Sequence, residues 1–188
     1  MDKTARRESI LHGGIQVLAT KGLGGLTHRA VDQQANLPQG SSSYYFPKKV
    51  NLLIAVSEFL AAQLEEDCVE LQVAFSQLTA EHGLDAAKDL FVQELLDYLG
   101  TSRHLFLARI ELTLAAAHNP ELVGVGEKLT TAARRPIAFF LKLISNGKED
   151  GPIETCSGLI DGITLMHAIG QGPKPTADQI SAVFHSLL

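Results

Sequence analysis

The stretch THRAVDQQANLPQGSSSYYFPKK, residues 27–49, decides how the chain is organised. Its first part predicts a short helix at about 27–35, which the sequence Asn-Leu-Pro at 36–38 interrupts. A second, very short helix is predicted at about 39–45, and it ends before Pro47 because the residue before a proline disfavours helical backbone. We therefore expect two short helices separated by a tight turn.

A longer helix precedes this pair and can cover it. Ile10, Gly14 and Val17 recur at three- and four-residue steps, as the buried face of a helix requires. Lys21-Gly22 then supplies a basic last turn and a C-terminal stop. Three helices in this order predict a helix-turn-helix module, whose second short helix enters the major groove of DNA. Apart from its tyrosines, the 39–45 helix has almost no apolar side chains, which favours an exposed interaction role over a role in the core.

The charge distribution agrees with a DNA-binding first segment. Residues 1–49 hold seven Lys or Arg against three Asp or Glu, a net charge of +4, and residues 50–188 hold nine against eighteen, a net charge of −9. The total of −5 does not argue against DNA binding, because DNA responds to the nearby face of a protein more than to its distant charges. Ordinary surface charge would give the same numbers, so the charge alone does not establish that this segment binds DNA.

Helical periodicity continues through the rest of the chain, and no sustained strand pattern or internal repeat interrupts it. A long helix from about Lys48 carries an apolar stripe and closes at His82-Gly83. The spacing of Thr176 to Gln179 fits a capping box at the start of the last helix. The sequence therefore predicts an all-α fold of about nine helices. The remaining helices are predicted at 84–99, 102–118, 121–146, 153–170 and from Thr176 onward.

Several protein classes are disfavoured by what the sequence lacks. No apolar run reaches the about 18 residues that span a bilayer, and the opening MDKTARRES does not resemble a secretory signal. Cys68 and Cys156 form neither a metal-type cluster nor a disulfide framework, and we expect two core thiols in a reducing cytoplasm. A phosphate-cradling glycine loop, a His-Glu-x-x-His helix and a nucleophile elbow are all missing, so we expect no enzyme, no catalytic residues and no cofactor.

The sequences LTHRAV at 26–31 and NLPQGSSSYYFPKK at 36–49 resemble the DNA-binding module of the tetracycline-repressor (TetR) family. The match covers about residues 5–60, and the rest of the chain agrees with the family in length and helical content. The resemblance implies a homodimeric transcriptional repressor that binds double-stranded operator DNA. A small-molecule effector would release it from that DNA.

The resemblance also implies a domain organisation. A DNA-binding domain would occupy residues 1–48, with its helix-turn-helix at about 27–46. An effector-binding and dimerisation domain would follow at 49–188. By the same resemblance, the helices at about 121–146 and 153–170 would form a four-helix bundle across the dimer.

In that family the start of helix two contacts DNA, helix three reads the groove, and a lysine opening helix four holds the backbone. Gln39 is the strongest candidate for base readout because an amide pairs bidentately with adenine, and Arg29 suits a phosphate or guanine. Thr27 could also be only a helix cap, His28 a solvated residue, and Tyr45 could turn inward onto the first helix. The predicted DNA-binding residues are Thr27, His28, Arg29, Gln39, Gly40, Ser41, Ser43, Tyr44, Tyr45, Lys48 and Lys49.

The sequence departs from the family pattern at two places. Pro38 stands where a serine often precedes the recognition helix, so the cap of that helix must be built differently. Ser42-Ser43 stands where the family commonly has Leu-Tyr, which removes an apolar side chain and a frequent phosphate contact. Tyr44 and Tyr45 keep the aromatic pair.

The helix at 102–118 is apolar on most sides yet carries ionisable residues. His104, Glu111 and His118 are seven apart, about 10.5 Å in turn, so they cannot hold one metal ion, and we expect no metal site. Arg109 and Glu111 could orient an effector in an apolar cavity, or they could form an internal salt bridge or a link to the DNA-binding segment. The predicted effector-binding residues are Tyr98, Phe106, Arg109, Glu111, Phe140 and Met166.

The helix at 153–170 is a candidate for dimerisation. Gly158 and Gly162 share one face, and each mid-helix glycine costs about 1 kcal/mol relative to alanine. Close approach of another helix would compensate for this cost, whether that helix belongs to a second subunit or to the same chain. The predicted interface residues are Gly158, Gly162, Ile163 and Met166.

Other functions remain open at this point. An activator or a corepressor-dependent regulator would have the same sequence features. A helical scaffold without DNA binding would leave the basic segment 1–49 unexplained, and a small helical enzyme lacks recognisable catalytic parts. Salt-dependent binding to duplex DNA distinguishes a regulator from the last two.

Overall fold

A computed structural model describes residues 2–144 and 152–185 as helices joined by short loops. The described residues contain no strand, and a single 3-10 turn at Pro120–Leu122 interrupts the succession of α-helices. The predicted all-α fold of about nine helices is confirmed. The helices are α1 (Lys3–Gly25), α2 (His28–Gln34), α3 (Ser41–Tyr45), α4 (Lys49–His82), α5 (Leu84–Thr101), α6 (Arg103–His118), α7 (Val125–Ile144), α8 (Ile153–Ala168) and α9 (Ala177–His185).

Several helix ends lie where the sequence predicts them. The Thr27 hydroxyl accepts a hydrogen bond from the backbone N–H of Ala30 at 3.1 Å, which makes Thr27 the N-cap of α2. At the start of α9, Thr176 and Gln179 exchange hydrogen bonds of 3.2 and 3.3 Å between backbone N–H groups and side-chain oxygens. This is the predicted capping box. Gly22, with φ +65° and ψ −175°, interrupts the regular part of α1.

Other predicted boundaries are wrong, and glycines account for the differences. The helix predicted from 121 begins only at Val125, because Pro120–Leu122 forms the 3-10 turn and Gly124 has φ +80°. The predicted recognition helix begins at Ser41 instead of residue 39, since Gly40 lies in the left-handed region with φ +95°. The predicted end of α7 at 146 lies outside the described residues.

The chain forms two compact units. The first comprises Met1–Gln63 and His104–Thr131, and the second comprises Leu64–Arg103 and Ala132–Leu188. The first unit therefore combines the predicted helix-turn-helix segment with nearly all of α6. The functional division predicted at residues 48 and 49 stays a prediction.

Close packing of α1 holds the first unit together. A Cβ on Gly14 would lie 2.6 Å from a methyl group of Val56, so α1 and α4 approach each other at this glycine. Gly13 packs against α2, where a Cβ would lie 3.1 Å from the carbonyl oxygen of Val31. The core of this unit includes the fully buried Ile10, Leu11, Ile15, Leu18, Leu26, Leu52, Leu60, Leu112, Leu122 and Leu129.

Aromatic rings form much of the core of the second unit. Phe91 lies at the centre, with ring centroids 5.3 Å from Phe75 in an edge-on contact and 5.5 Å from Phe140 in a stacked one. Phe140 in turn lies 4.5 Å from Phe184 of α9. Edge-on and offset contacts are the favoured geometries for aromatic pairs. Cys156 is fully buried in the same cluster.

Candidate nucleic-acid interface

One buried carboxylate fixes the start of α3, the predicted recognition helix. Asp32 on α2 is 2% exposed, and it accepts hydrogen bonds from the backbone N–H groups of Gly40 at 2.8 Å and Ser42 at 2.7 Å. The N-cap residue of α3, Gly40, offers no side chain for this purpose. A carboxylate at a helix start satisfies free N–H groups and also suits the positive end of the helix dipole. Asp32 therefore caps α3 in place of the serine that is absent from position 38.

Sequence reasoning did not find Asp32. Capping patterns are sought within about three residues of a helix start, whereas Asp32 lies eight and ten residues from its two partners. The sequence did hold a clue, because Asp32 is one of only three acidic residues in the basic segment 1–49.

A second set of hydrogen bonds joins α2 to both ends of α3. Ser42 is fully buried, and its hydroxyl donates to the backbone carbonyl of His28 at 3.1 Å. The His28 ring is half-buried, and its Nε2 lies 2.7 Å from the carbonyl oxygen of Phe46, to which it donates. The predicted DNA contact at His28 has one ring nitrogen occupied by this bond and keeps the other.

The outer side of the α3 segment is polar and open to solvent. Gln39 and Gly40 are exposed, and Tyr44 is 76% exposed. Ser41 and Ser43 are half-buried, and their hydroxyls donate to the carbonyls of Pro38 and Gly40 at 2.6 and 3.0 Å. Each hydroxyl oxygen keeps acceptor capacity while it makes these bonds. This surface brings together five of the predicted groove-facing residues.

Tyr45 differs from its neighbour because its side chain turns towards α1. It is half-buried, and its hydroxyl donates to the backbone carbonyl of Lys3 at 3.3 Å. The Tyr44 ring meets it edge-on, with centroids 5.3 Å apart. Of the two interpretations of Tyr45, the inward one is observed.

The side chains of Arg29 and Lys48, which are both predicted to contact DNA, are exposed to solvent.

Lys49 and Glu111 hold the same backbone segment after the kink in α1. The Lys49 ammonium donates to the carbonyl of Leu23 at 3.2 Å, and the Glu111 carboxylate accepts from the N–H of Leu23 at 2.8 Å. We call Glu111, Leu23 and Lys49 the Leu23 clamp. A Cβ on Gly22 would lie 3.2 Å from Glu111 Oε1, so the glycine leaves room for the carboxylate. Among the alternatives for Glu111, the observed hydrogen bond is a link to the segment that is predicted to bind DNA.

The Leu23 clamp lies beside an open cleft of about 440 Å³ within the first unit. Its walls are mainly apolar, with the carboxylates of Glu111 and Glu121 among the polar groups. Its lining residues are Leu23, Lys49, Val50, Leu53, Glu111, Leu114, Ala115, His118, Asn119, Glu121 and Leu122.

The six predicted effector-binding residues divide equally between the two compact units. Phe106, Arg109 and Glu111 belong to the first, where the buried Arg109 guanidinium lies 5.1 Å from the centre of the Phe106 ring. Three belong to the second unit. They are Tyr98, whose hydroxyl donates to Asp67 at 3.0 Å, Phe140 in the aromatic core, and Met166, which is 46% exposed. Each assignment stays a prediction.

The glycine face of α8 is open. Gly158 and Gly162 are exposed, and among the described residues no atom beyond their own helix and chain neighbours lies within 4 Å of a Cβ placed on either. A close neighbour within the same chain is therefore not observed for the part of the chain that the structure describes. Met166, 46% exposed, and half-buried Ile163 lie on the same helix.

Metal-binding clusters and membrane-spanning helices are both absent from residues 2–144 and 152–185. Within these ranges no group of three His, Cys, Asp or Glu side chains is arranged to hold a metal ion. Among the same residues, no helix has both the length and the apolar character needed to cross a bilayer.

Comparison with known proteins relates the chain to one family model and to several solved structures. Residues 78–188 match the family model for the tetracyclin repressor-like C-terminal domain, which covers more than half of the chain. No curated protein matches the sequence. The similarities to solved structures extend over almost the whole chain.

Three solved structures illustrate this likeness. A TetR family member from Streptomyces coelicolor is 24% identical with a TM-score of 0.69, over 97% of this chain and 98% of that one. The multidrug binding protein EbrR, complexed with ethidium, is 24% identical with a TM-score of 0.65 over 100% of both chains. A TetR family transcription regulator from Marinobacter aquaeolei is 17% identical with a TM-score of 0.63, over 97% of this chain and 93% of that one. At these identities the likeness shows the fold, while the family model shows the relationship. The chain belongs to the tetracycline-repressor family, whose members are transcriptional regulators and not enzymes.

Proposed function

We propose that this regulator is a homodimeric repressor that binds operator DNA through α3 and is released by a small-molecule effector. The observation that carries the proposal is the capped, exposed α3 segment. α3 has only five residues, too few to be stable as an isolated helix. Asp32 nevertheless fixes its start while Gln39 and Tyr44 point away from the core. A rigid polar helix of this kind suits the reading of base edges.

Each predicted DNA-binding residue has a proposed role. Gln39 reads a base, most simply adenine, and Arg29 contacts a phosphate or a guanine. Lys48 and Lys49 hold phosphates. For Lys49 this requires an exchange of partners, because its ammonium bonds the Leu23 carbonyl in this structure. The remaining proposed contacts are Thr27, His28, Gly40, Ser41, Ser43, Tyr44 and the hydroxyl of Tyr45.

The proposal of a dimer is supported by α8. Gly158 and Gly162 leave space for a close neighbour, and the exposed Met166 and half-buried Ile163 add apolar surface near them. A second copy of α8 is a suitable occupant, since one short recognition helix offers too few base contacts for strong specificity. A two-fold dimer would place two recognition helices about one duplex turn apart, roughly 34–36 Å.

Effector control is proposed to act through α6. This helix belongs to the same compact unit as α1–α3, and the Leu23 clamp joins it to the backbone of α1. EbrR, a structural neighbour, is a multidrug binding protein, which supports a small molecule as the effector here. An effector that moves α6 would weaken the bond from Leu23 to Glu111 and lower operator affinity. Such a regulator would work in the cytoplasm, where it meets chromosomal DNA.

Selection of bound duplexes from a random DNA pool tests the operator-binding part. We expect a palindromic winner with half-sites about one turn apart. Gln39→Ala and Tyr44→Ala should each lower affinity more than tenfold, since both subunits of a dimer are changed and each good base contact contributes about 1–3 kcal/mol. Gln77→Ala, which removes the same side chain from an exposed site on α4, is the matched control. No enriched sequence from a folded dimer at low salt would contradict the proposal.

A further inference from the structure

We propose that the first two turns of α1 form a second DNA-binding element, in which Lys3 and Arg6 bind backbone phosphates beyond the C-terminal end of α3. This inference rests on the operator binding proposed above and extends it to residues outside the helix-turn-helix. Its partner is duplex DNA, held through phosphates and without base readout.

The contacts of α3 place this element beside the proposed DNA-binding surface. The Tyr45 hydroxyl donates to the carbonyl of Lys3 at 3.3 Å, which joins the last turn of α3 to the first turn of α1. The Arg7 guanidinium lies 5.5 Å from the centre of the Phe46 ring, directly after α3. His28 at the start of α2 bonds the carbonyl of the same Phe46. The start of α1, the start of α2 and the end of α3 therefore meet at one place.

The charges at this place favour an anionic partner. Lys3, Arg6 and Arg7 are exposed, and they share one side of α1 because Arg6 and Arg7 lie three and four residues after Lys3. Two acidic residues, Asp2 and Glu8, lie close to them in sequence. The Asp2 carboxylate accepts the N–H of Ala5 at 2.8 Å as the N-cap of α1, which uses part of its capacity locally. Among the described residues, neither Lys3 nor Arg6 takes part in an ion pair.

Lys3 and Arg6 differ from Arg7 in their contacts within the protein. Arg7 stacks against Phe46, a contact that also steadies the end of α3, and we treat it as a positioning residue. Lys3 and Arg6 have long side chains on an exposed helix turn and can follow a phosphate without any change in the backbone. A five-residue recognition helix makes few base contacts, so such added phosphate contacts contribute affinity that α3 alone lacks.

Salt-dependent operator binding by Lys3→Ala and Arg6→Ala tests the proposal. Lys3→Ala keeps the backbone carbonyl that accepts the Tyr45 hydroxyl, so the hold on α3 remains. The slope of log affinity against log salt should fall by about 0.9 for each phosphate that is no longer bound, or about 1.8 for a dimer. Between 50 and 200 mM salt, the affinity of the wild type should then decrease about 12-fold more than that of the variant. The ranking of operator sequences should not change.

A second measurement locates the phosphates. Operators with a single phosphate replaced by a neutral methylphosphonate should bind the wild type more weakly when the replacement is at specific positions. At one of these positions, the same replacement should not weaken binding by Lys3→Ala or by Arg6→Ala. Lys174→Ala, which removes a charge from an exposed loop of the second unit, is the control. Unchanged slopes, or an equal change in Lys174→Ala, would overturn the inference while operator binding stands. A wild type that shows no salt-dependent operator binding would overturn both proposals.

Discussion

At the level of single residues, Asp32 shows how a buried charge serves an exposed surface. Its carboxylate is 2% exposed, and both its oxygens accept backbone N–H groups at the start of α3. Two such charge-assisted bonds compensate for the loss of hydration of the carboxylate. A residue with almost no exposed surface therefore sets the position of those proposed to bind DNA.

Replacing Asp32 separates capping from simple electrostatics. Asp32→Ala removes a negative charge near the proposed DNA surface, which by Coulomb's law alone would raise operator affinity. We expect the opposite, a fall in affinity together with a decrease of about 2 kcal/mol in the free energy of unfolding, because α3 no longer has its cap. Asp32→Asn should be milder, since its amide oxygen still accepts one bond. Urea unfolding and operator titration measure the two effects, and a rise in affinity would show that capping is not the main role of Asp32.

Gly22 is a residue whose backbone and surroundings both require glycine. Its φ of +65° with ψ −175° is nearly exclusive to glycine, and a Cβ would lie 3.2 Å from the Glu111 carboxylate. Gly22→Ala should therefore lower the free energy of unfolding by about 1–3 kcal/mol. Gly24→Ala, two residues on, has open space and should be neutral or slightly stabilising. Equal effects of the two substitutions in thermal unfolding would argue against this account.

At the level of elements, local features were predictable and long-range ones were not. The cap at Thr27, the breaks at Gly22 and Gly83 and the box at Thr176 depend on residues next to the helix ends, so the sequence alone predicts them. The roles of Asp32 and Glu111 depend on contacts between helices. Glu111 lies 88 residues from Leu23, and no local pattern reports which helix its carboxylate reaches.

The glycine face of α8 gives opposite expectations for the monomer and the dimer. Gly162→Leu should stabilise the helix itself by about 0.8 kcal/mol, because glycine is a poor helix former. The same leucine would obstruct a second copy packed against the face, so we expect the dimer dissociation constant to rise at least tenfold. Gly100→Leu on α5, another exposed helical glycine with open space, is the control. Sedimentation equilibrium that shows an unchanged dimer in Gly162→Leu would place the interface elsewhere.

The two cysteines report on the integrity of α4 and α8. Burial raises the pKa of the Cys68 and Cys156 thiols, although the nearby Arg135 partly opposes this at Cys68. At pH 8 both thiols should react with a disulfide reagent much more slowly in the folded protein than in denaturant, because the thiolate is the reactive form. The raised pKa stabilises the folded protein below the ordinary thiol pKa of about 8.5, and this contribution disappears as the pH rises through the folded value. Single Cys68→Ala and Cys156→Ala variants assign each rate, and a fast-reacting thiol would mean that its helix opens readily.

At the level of the whole molecule, the first compact unit consists of two segments that are separate in the sequence. Residues 1–63 pack together with 104–131, so α6 shares a unit with the predicted helix-turn-helix although the forty residues between these two segments belong to the second unit. The basic charge lies in the first part of the sequence, and the Leu23 clamp ties that part to α6 through Glu111. The functional boundary predicted at residues 48 and 49 therefore does not coincide with the boundary between the two compact units.

This arrangement predicts that a residue on α6 influences DNA binding without touching DNA. Glu111→Ala removes the acceptor of the Leu23 N–H, so that amide should exchange with solvent faster, and operator affinity should fall by about 2- to 30-fold, the range found for coupling through intermediate residues. Removal of a negative charge would by itself favour DNA binding, so a fall in affinity would have to come from the clamp. Glu127→Ala removes an equal charge from an exposed site in the same unit, so it should leave the exchange of the Leu23 amide unchanged and should not lower operator affinity. Faster exchange at Leu23 with unchanged operator affinity would show that the clamp is only structural, and any effector signal would then have to reach α3 by another path.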